Sequence, residues 1–255
     1  MNDWQSPALV LSVRNHSEAD KIVTLYSREH GRVTAIAKGA RKSKKRFINK
    51  LEPFTLLGIT CRPPRRGSLH FLRSAELIDA YLGLRNNYRL YVPAVFLCEL
   101  LRLFGREQDP DPNLFELTRS VLALLARNQC QADILATFFM LHLLECCGYA
   151  PQLDVCGHCG GNIDQQRDFI LSPARGCLLC SRCHPAVASS SMLLSRQTLK
   201  FLVSGRVMHL SRLASLRMSR QNTGQAIVVL ANYCRHILQQ DIHSLQPLIT
   251  LVTVG

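Results

Sequence analysis

The chain has 255 residues, of which 47% are hydrophobic, and a formal net charge of +13. This length exceeds what one compact core usually needs, so we expect two or three domains with packed interiors, and the composition excludes a disordered chain. The excess of cations indicates a polyanionic partner, either nucleic acid or an anionic membrane surface.

The first predicted domain covers residues 1–80 and is built from strands. Five short runs of β-branched or alternating residues are separated by turn residues, and Glu29-His30-Gly31 is typical of a hairpin turn between the second and third runs. The runs are Ala8–Val13, Lys21–Tyr26, Gly31–Ala37, Phe54–Thr60 and Ser68–Leu72. Five strands in so short a stretch predict a small barrel, and the common five-stranded barrel that offers a groove to oligonucleotides is the OB-fold.

A strongly basic run lies between the third and fourth predicted strands. Residues 38–50 contain seven cations and no carboxylate, so self-repulsion predicts a mobile loop. Single-stranded nucleic acid suits such a loop, because the cations follow the phosphates while Phe47, Tyr26 or Phe71 stacks on bases. A solvated charge run without a ligand is the alternative. The predicted DNA-binding residues are these seven cations and two from a second basic patch that begins at Arg62: Lys38, Arg41, Lys42, Lys44, Lys45, Arg46, Lys50, Arg65 and Arg66.

From about residue 81 the pattern becomes helical. Apolar residues recur every three or four positions in six segments, which are separated by loops rich in Gly, Pro and Asn. The predicted helices are Leu90–Phe104, Leu114–Arg127, Ile134–Cys147, Arg196–His209, Gly224–Gln239 and Ser244–Val252. We therefore predict an α-helical domain over residues 81–255, with a zinc-binding insertion at about residues 152–186. The third helix is the most apolar, but its hydrophobic run is too short to cross a membrane, so we interpret it as buried and expect no membrane partner.

Two Cys-x-x-Cys pairs provide the most definite chemical signal in the sequence. Cys156 and Cys159 form the first pair and Cys180 and Cys183 the second, at the spacing of a tetrahedral structural zinc site. Cys177 precedes Cys180 at the same interval, so Cys177 and Cys180 are an alternative second pair. We prefer Cys183, because the two leucines after Cys177 are typical of a strand that enters the site. Reduced thiols without a metal are a further alternative, and eleven cysteines without a recognisable signal peptide indicate the reducing cytoplasm.

Arginines surround the first helix after this insertion, and residues 196–220 contain no carboxylate. These arginines suit DNA or an acidic peptide tail, since guanidinium groups pair with carboxylates and the neighbouring Leu, Val and Met side chains suit an apolar anchor. Ordinary helix surface that faces water is the alternative. The predicted tail-binding residues are Arg196, Arg206, Arg212 and Arg217, and Arg220 lies beside them.

Several catalytic motifs are missing from the sequence. Lys42-Ser43 after Gly39 lacks the spacing of a phosphate-binding loop, and neither G-x-S-x-G nor H-E-x-x-H is present. His16-Ser17-Glu18 with a distant cysteine pair is similar to the zinc deaminases, but Val155 stands where those enzymes have proline, and a second cysteine pair would fill the coordination shell. We therefore expect no enzymatic activity.

Three short segments, together with the cysteine pairs, carry a family resemblance. The segments are Ser17–Leu25, Gly31 with Ala37–Lys42, and Leu51–Phe54. Through them the chain resembles the RecO family of bacterial DNA repair and recombination mediators over nearly its whole length. Cys177 departs from the family pattern, because it stands where we expect glycine.

The resemblance implies an α+β, multidomain fold: an N-terminal OB-fold barrel, then an α-helical domain that carries a four-cysteine zinc-binding insertion, although some members lack the zinc. It also implies a cytoplasmic, nucleoid-associated protein that binds single- and double-stranded DNA and anneals complementary strands without ATP. Its implied partners are the acidic C-terminal tail of single-stranded-DNA-binding protein, RecR, and RecA, which it helps to load. A cationic surface favours annealing because it screens two phosphate backbones at once.

Two functional hypotheses follow from the sequence. The first is a non-enzymatic DNA-binding and strand-annealing mediator. The second is a protein-interaction adaptor whose main ligand is an acidic C-terminal tail, with DNA binding secondary. Because residues 160–179 contain as many Asp as Arg residues, we interpret the zinc as structural and place DNA binding in the barrel.

Overall fold

The computed structural model describes residues 2–162, 168–184 and 193–254. The strands are β1 (Trp4–Asn15), β2 (Lys21–Ser27), β3 (Gly31–Ala37), β4 (Leu56–Arg62), β5 (His70–Asp79), β6 (Gln152–Cys156), β7 (Asp168–Ser172), β8 (Cys177–Cys180) and β9 (Leu193–Ser195). The helices are α1 (Leu82–Arg85), α2 (Tyr88–Phe104), α3 (Pro112–Ala126), α4 (Ala132–Cys146), α5 (Arg196–Val207), α6 (Arg220–Leu238) and α7 (Leu245–Val254). Two compact units emerge: residues 1–86 with 98–126, which we call the barrel unit, and residues 87–97 with 127–255, which we call the helical unit.

The first five strands form a closed barrel in the order β1-β2-β3-β5-β4. Strands β3 and β5 pair in parallel at Ala35 with His70 and at Ile36 with Phe71, whereas the other neighbouring strands are antiparallel. Side chains that alternate towards the interior fill this barrel with small and branched groups. The strand residues of this interior cluster are Ala8, Val10, Val23, Leu25, Ala35, Ala37, Leu57, Ile59, Cys61, Leu72 and Ala75. The predicted barrel followed by a helical region that carries the cysteines is therefore confirmed.

The basic run after β3 is anchored to the barrel, whereas the sequence predicts a mobile loop. Ala40, Phe47 and Leu51 belong to the same buried cluster as the strand residues, and Phe47 is only 3% exposed. The backbone N–H of Gly39 donates to the carboxylate of Asp20 at 2.8 Å, which ties the run to the loop between β1 and β2. Burial of three apolar side chains therefore offsets the repulsion among the cations.

Two of the aromatic rings expected to stack on bases are not available for stacking. Phe47 lies in the barrel core, and Tyr26 is 1% exposed. The Tyr26 ring packs so closely on Gly105 that an added Cβ there would lie 2.8 Å from the ring. The prediction that Phe47 or Tyr26 stacks on bases is therefore wrong, because both rings are used for packing. Phe71 alone of the three is partly exposed.

Residues 98–126 cover part of the outer face of β2 and β3. Besides the contact of Gly105 with Tyr26, Arg32 of β3 donates to the carbonyl oxygen of Arg102 at 2.8 Å and pairs with Glu107 at 3.6 Å. Oligonucleotides commonly bind OB-folds on the face of the second and third strands. Near Tyr26 and Arg32 this face is therefore occupied by the chain itself.

The helical unit contains a four-stranded sheet in the order β6-β8-β7-β9, and α4, α5 and α6 pack against one another. Helix α4 buries nearly all of Ile134–Leu144, as predicted for its apolar run. No helix in the described part of the chain has both the length and the apolar character needed to span a bilayer. All six predicted helices are present, but α6 begins four residues early because the Ser219 hydroxyl accepts from the N–H of Asn222 and caps it.

We expect replacement of Phe47 by alanine to destabilise the barrel by about 3–5 kcal/mol, since the substitution leaves a cavity in the core. Ile48, which is 50% exposed, is the matched neighbour, and Ile48→Ala should change the free energy of unfolding by about 0.5 kcal/mol or less. Urea unfolding of both variants measures these changes. Equal stability of the two variants would show that Phe47 is not a core residue.

Candidate metal centre and nucleic-acid surface

The structure brings the four predicted metal ligands together at one end of the small sheet. Strands β6 and β8 are parallel neighbours that end at Cys156 and Cys180, and the turn after each strand delivers Cys159 and Cys183. All four Sγ atoms lie within 4.8 Å of one another. A tetrahedral zinc ion with bonds of about 2.3 Å separates its sulfur ligands by about 3.8 Å, so this arrangement is close to that of a zinc site.

Cys177 lies outside this group. It begins β8, whereas Cys180 ends the same strand, and its side chain packs on the backbone after Cys156. A Cβ added to Gly157 would lie 2.4 Å from the Cys177 sulfur, so this thiol fills the space that the glycine leaves. The geometry therefore supports Cys180 with Cys183 as the second pair.

The pKa values of two of the four thiols shift in opposite directions. Burial raises the pKa of Cys156, but backbone N–H groups of Cys159, Cys180 and His158 outweigh it and lower the pKa to about 6. The pKa of Cys183 is raised to about 12, chiefly because its thiol is hydrogen-bonded to Cys180, then because of desolvation, with smaller effects from hydrogen bonds to Cys159 and Cys156 and from repulsion by the Cys156 charge. A divalent cation removes this repulsion, so the donor set fits Zn²⁺, and four protein ligands leave no open position for a water nucleophile.

The cations of the basic run fall into two groups. Arg41 and Lys50 donate to backbone carbonyl groups at 2.7 and 2.8 Å, and Arg46 donates to another while it lies 4.5 Å from the Phe47 ring centroid. We call these three the anchoring cations. The remaining four are exposed and form no ion pair within residues 2–162, 168–184 and 193–254: Lys38, Lys42, Lys44 and Lys45. These free lysines present charge to solvent without an ion-pair partner in the described residues, whereas Arg41 and Arg46 are exposed but hydrogen-bonded to backbone carbonyl groups.

A second cationic surface lies on β4, β5 and the turn between them. Arg65 and Arg66 are exposed in this turn. Arg62 is paired across the sheet with Phe71, and Arg73 follows on β5 with its guanidinium carbon 6.0 Å from the Phe71 ring centroid. The sequence did not indicate Arg73, because it lies just beyond the fifth predicted strand.

Asp3 lies between two of these arginines. Its carboxylate oxygens are 2.8 Å from Nε of Arg62 and 3.6 Å from Nε of Arg73. The hydrogen bond from Arg62, with the charges of both arginines, holds the pKa of the Asp3 carboxyl below its usual value. No pattern in the sequence links residues so far apart, so this contact was not predicted.

Two of the four predicted tail-binding arginines lie on α5 and two lie in the segment after it. Arg196 begins α5 and Arg206 lies near its end, which places them about 15 Å apart along the helix at a rise of 1.5 Å per residue. Arg212 and Arg217 follow the helix and are exposed. The sequence around them has no carboxylate, but folding places Asp154 of β6 3.9 Å from Arg206. The expectation of a surface without carboxylates is therefore wrong for Arg206.

An apolar groove of about 290 Å³ runs beside α6 and α7 in the helical unit. Its lining is largely aliphatic and includes Ile227, Ile249 and Val252, with Arg220 as a cation. Gly224 widens the groove, since an added Cβ would have its nearest neighbour, Val252, at 3.7 Å. The combination of an apolar surface and a guanidinium group suits a peptide with an apolar and an acidic side chain.

Two family models match the chain: Recombination protein O N terminal over residues 1–81 and Recombination protein O C terminal over residues 85–246. A DNA repair protein RecO from Syntrophus aciditrophicus is 33% identical over 252 residues, which cover 98% of this chain and 97% of the relative. The chain belongs to the RecO family. A second RecO, from Syntrophobacter fumaroxidans, is 32% identical over 246 residues, or 96% of this chain and 97% of that protein. A third RecO, from Myxococcus xanthus, is 37% identical over 184 residues, which cover 72% of this chain and 73% of that protein.

Membership in the RecO family supports a role in DNA repair. It confirms the resemblance that Ser17–Leu25, Ala37–Lys42 and Leu51–Phe54 carry. In this RecO-family chain, Ala37–Lys42 ends β3 and starts the anchored basic run, and Leu51–Phe54 contributes buried residues where that run returns to the barrel. The recognisable segments therefore hold the basic run in place.

Zinc retention distinguishes the two candidate ligand sets, since Cys180 is common to both. We expect Cys183→Ala to lose zinc during dialysis against a chelator and Cys177→Ala to keep one equivalent, because only the first substitution removes a clustered sulfur. Metal analysis of the dialysed proteins by mass spectrometry measures the difference. Loss of zinc from Cys177→Ala with retention by Cys183→Ala would establish the alternative pair.

Proposed function

We propose that this RecO-family protein is a non-enzymatic recombination mediator that binds single- and double-stranded DNA and anneals complementary strands. The observation that carries the proposal is the division of the basic run into anchoring cations and free lysines. Burial of Phe47 and the contacts of Arg41, Arg46 and Lys50 fix the backbone of the run, so the free lysines extend from an ordered surface. In this proposal residues 1–80 form the DNA-binding domain and residues 81–255 the helical domain.

Lysine suits annealing because its ammonium group is a point charge on a flexible stem. Contacts of this kind neutralise phosphates without reading bases, so two different strands bind equally well. Screening of both backbones raises the rate at which complementary bases meet, and base pairing itself supplies the free energy. The proposed function therefore needs neither ATP nor a catalytic residue. Arg65 and Arg66 extend the cationic surface in this proposal.

The metal centre has a structural role in this proposal. Cys156, Cys159, Cys180 and Cys183 hold Zn²⁺, which joins the ends of β6 and β8 and removes the repulsion among the thiolates. DNA binding is then assigned to the barrel unit and not to the metal centre. Loss of zinc would lower the stability of the helical unit before it lowers DNA affinity.

The family supports a wider role in which the substrate is DNA coated by single-stranded-DNA-binding protein in the cytoplasm, at the nucleoid. The protein would act there with RecR to help load RecA. These partners rest on membership in the RecO family. The structure adds a cationic surface suited to the exposed DNA.

A second candidate function is an adaptor that binds the acidic C-terminal tail of single-stranded-DNA-binding protein. The groove beside α6 and α7 favours it, because it combines aliphatic walls with Arg220. Arg196, Arg206, Arg212 and Arg217 would then attract the acidic residues before the apolar end of the tail. DNA binding would be secondary in such a protein.

For the DNA-binding function, we expect a Lys42→Ala, Lys44→Ala, Lys45→Ala triple variant to flatten the log–log salt dependence of single-stranded DNA affinity. The slope should fall in magnitude by about 2, since each lost phosphate contact removes about 0.7. Fluorescence anisotropy at several salt concentrations measures it. The control is a triple variant of Arg28, Arg106 and Arg119, which removes as much charge from cations already paired with carboxylates.

An equal loss of slope in both triple variants would exclude a specific role for the free lysines. Annealing of complementary strands, bare and coated with single-stranded-DNA-binding protein, tests the function as a whole. We expect the native protein to accelerate annealing of both substrates and the lysine variant to do so less. Absence of any acceleration by the native protein would contradict the mediator function.

For the adaptor function, we expect a short acidic peptide that ends in an aromatic residue to bind at low salt. Arg220→Ala should weaken binding by up to about fivefold, the contribution of one exposed ion pair, whereas Arg235→Ala on the same helix should not, because Arg235 pairs with Asp241. Calorimetric titration measures both affinities. A peptide with alanine in place of the aromatic residue should bind more weakly, and equal binding of the two peptides would exclude the apolar groove.

A further inference from the structure

A polar groove of about 310 Å³ lies on the outer face of β1, β4 and β5 in the barrel unit. Strand register places Gln5 beside Thr60 and Thr60 beside Ser74, so small side chains form its floor. At Gly58 an added Cβ would make an ordinary van der Waals contact with Ile78 at 3.9 Å, so the missing side chain leaves room over the strand. A glycine inside a strand often marks the close approach of a ligand, and the volume is near the lower limit of small-ligand pockets, about 300 Å³.

The same face carries two arginines and an aromatic ring at one end. Alternate positions of β4 face outwards, and these are Gly58, Thr60 and Arg62. The floor of the groove therefore leads along the strand to Arg62. Phe71 lies beside Arg62 on β5 and is partly exposed, and Arg73 approaches its ring. Arginine groups beside a partly exposed ring suit a nucleotide, since the base stacks on the ring while the phosphate pairs with guanidinium groups.

Asp3 occupies the position between the guanidinium groups where a phosphate would bind. One carboxylate oxygen contacts Arg62 at 2.8 Å and the other contacts Arg73 at 3.6 Å, so a single anion bridges both cations. The side chains of Arg62 and Arg73 remain 49% and 45% exposed, and a strand from solvent can therefore reach them. Exchange of one anion for another at such a site costs little, because the arginines keep a partner throughout.

We propose that this groove is a single-stranded DNA subsite in which Phe71 stacks a base, Arg62 and Arg73 bind the adjacent phosphate, and Asp3 is an intramolecular competitor for that phosphate. The subsite rests on the proposed DNA-binding function but is separate from the free lysines. It lies on β1, β4 and β5, away from the part of β2 and β3 that residues 98–126 cover. Asp3 then weakens the binding of isolated nucleotides more than the binding of long strands. The reason is that only long strands gain further contacts from the free lysines.

The test compares two substitutions that each remove one negative charge from this face. Asp3→Asn should tighten binding of an oligo(dT) strand by about three- to fivefold, because it removes an exposed ion-pair partner of both arginines. Glu76→Gln is the matched control, since Glu76 lines the same groove, and it should change the affinity by less than twofold. Fluorescence anisotropy at fixed salt concentration measures both.

Two further variants show whether the gain comes from the arginines and the ring. The effect of Asp3→Asn should disappear in an Arg62→Ala, Arg73→Ala background. Phe71→Leu, which keeps an apolar side chain, should weaken binding of oligo(dT) about fivefold or more but leave binding of an abasic strand of equal length unchanged. Circular dichroism confirms that each variant is folded.

The outcomes separate this subsite from the proposed function. A native protein that binds no single-stranded DNA would overturn both. A native protein that binds DNA, with Asp3→Asn no tighter than Glu76→Gln, would overturn the subsite alone. The subsite alone would also be overturned if Asp3→Asn still tightened DNA binding in the Arg62→Ala, Arg73→Ala background. The Asp3 carboxylate would then act by repelling DNA phosphates directly and not by competing for the two arginines.

Discussion

Burial of Phe47 is the interaction on which the cationic surface of the barrel depends. The run from Lys38 to Lys50 has no carboxylate of its own, so its charges repel one another, and burial of a phenylalanine side chain contributes about 1.5–3 kcal/mol against this repulsion. Ala40 and Leu51 add to the same buried cluster, while Arg41, Arg46 and Lys50 donate hydrogen bonds to backbone carbonyl groups. A segment that looks like a free charged loop is thus a part of the core with charged side chains on its outer side.

The metal centre follows from a related constraint, in which like charges are held together by the fold. Parallel pairing of β6 and β8 brings Cys156 and Cys180 to the same end of the sheet, and their turns complete a group of four sulfurs. Backbone N–H groups lower the pKa of Cys156, whereas the pKa of Cys183 is raised beside it. In both places the fold gathers groups that suit a partner of opposite charge, and we propose DNA phosphate for the basic run and a divalent cation for the thiols.

Local patterns in the sequence were sufficient for the five strands, the six helices and the spacing of the cysteine pairs, because each depends on residues close together in the chain. The errors concern contacts over longer distances. Phe47 looks like an exposed ring because cations surround it in sequence, although it belongs to the same buried cluster as the strand residues of the barrel core. The pairing of Arg206 with Asp154, and of Arg73 with Asp3, joins residues that no local periodicity connects. The sequence also could not exclude Cys177 as a metal ligand, because that conclusion depends on the contact of its side chain with Gly157 in the folded protein.

If the protein anneals DNA as proposed, the division between anchoring cations and free lysines affects how two strands find their register. Arg41 and Arg46 form directed hydrogen bonds and use them within the protein. Lys42, Lys44 and Lys45 offer ammonium groups whose attraction to phosphate has little directional preference. A strand held by such groups can slide along its own axis with little change in energy. Misaligned strands can therefore shift past one another without release, and complementarity between the bases, not the protein, determines where they stop.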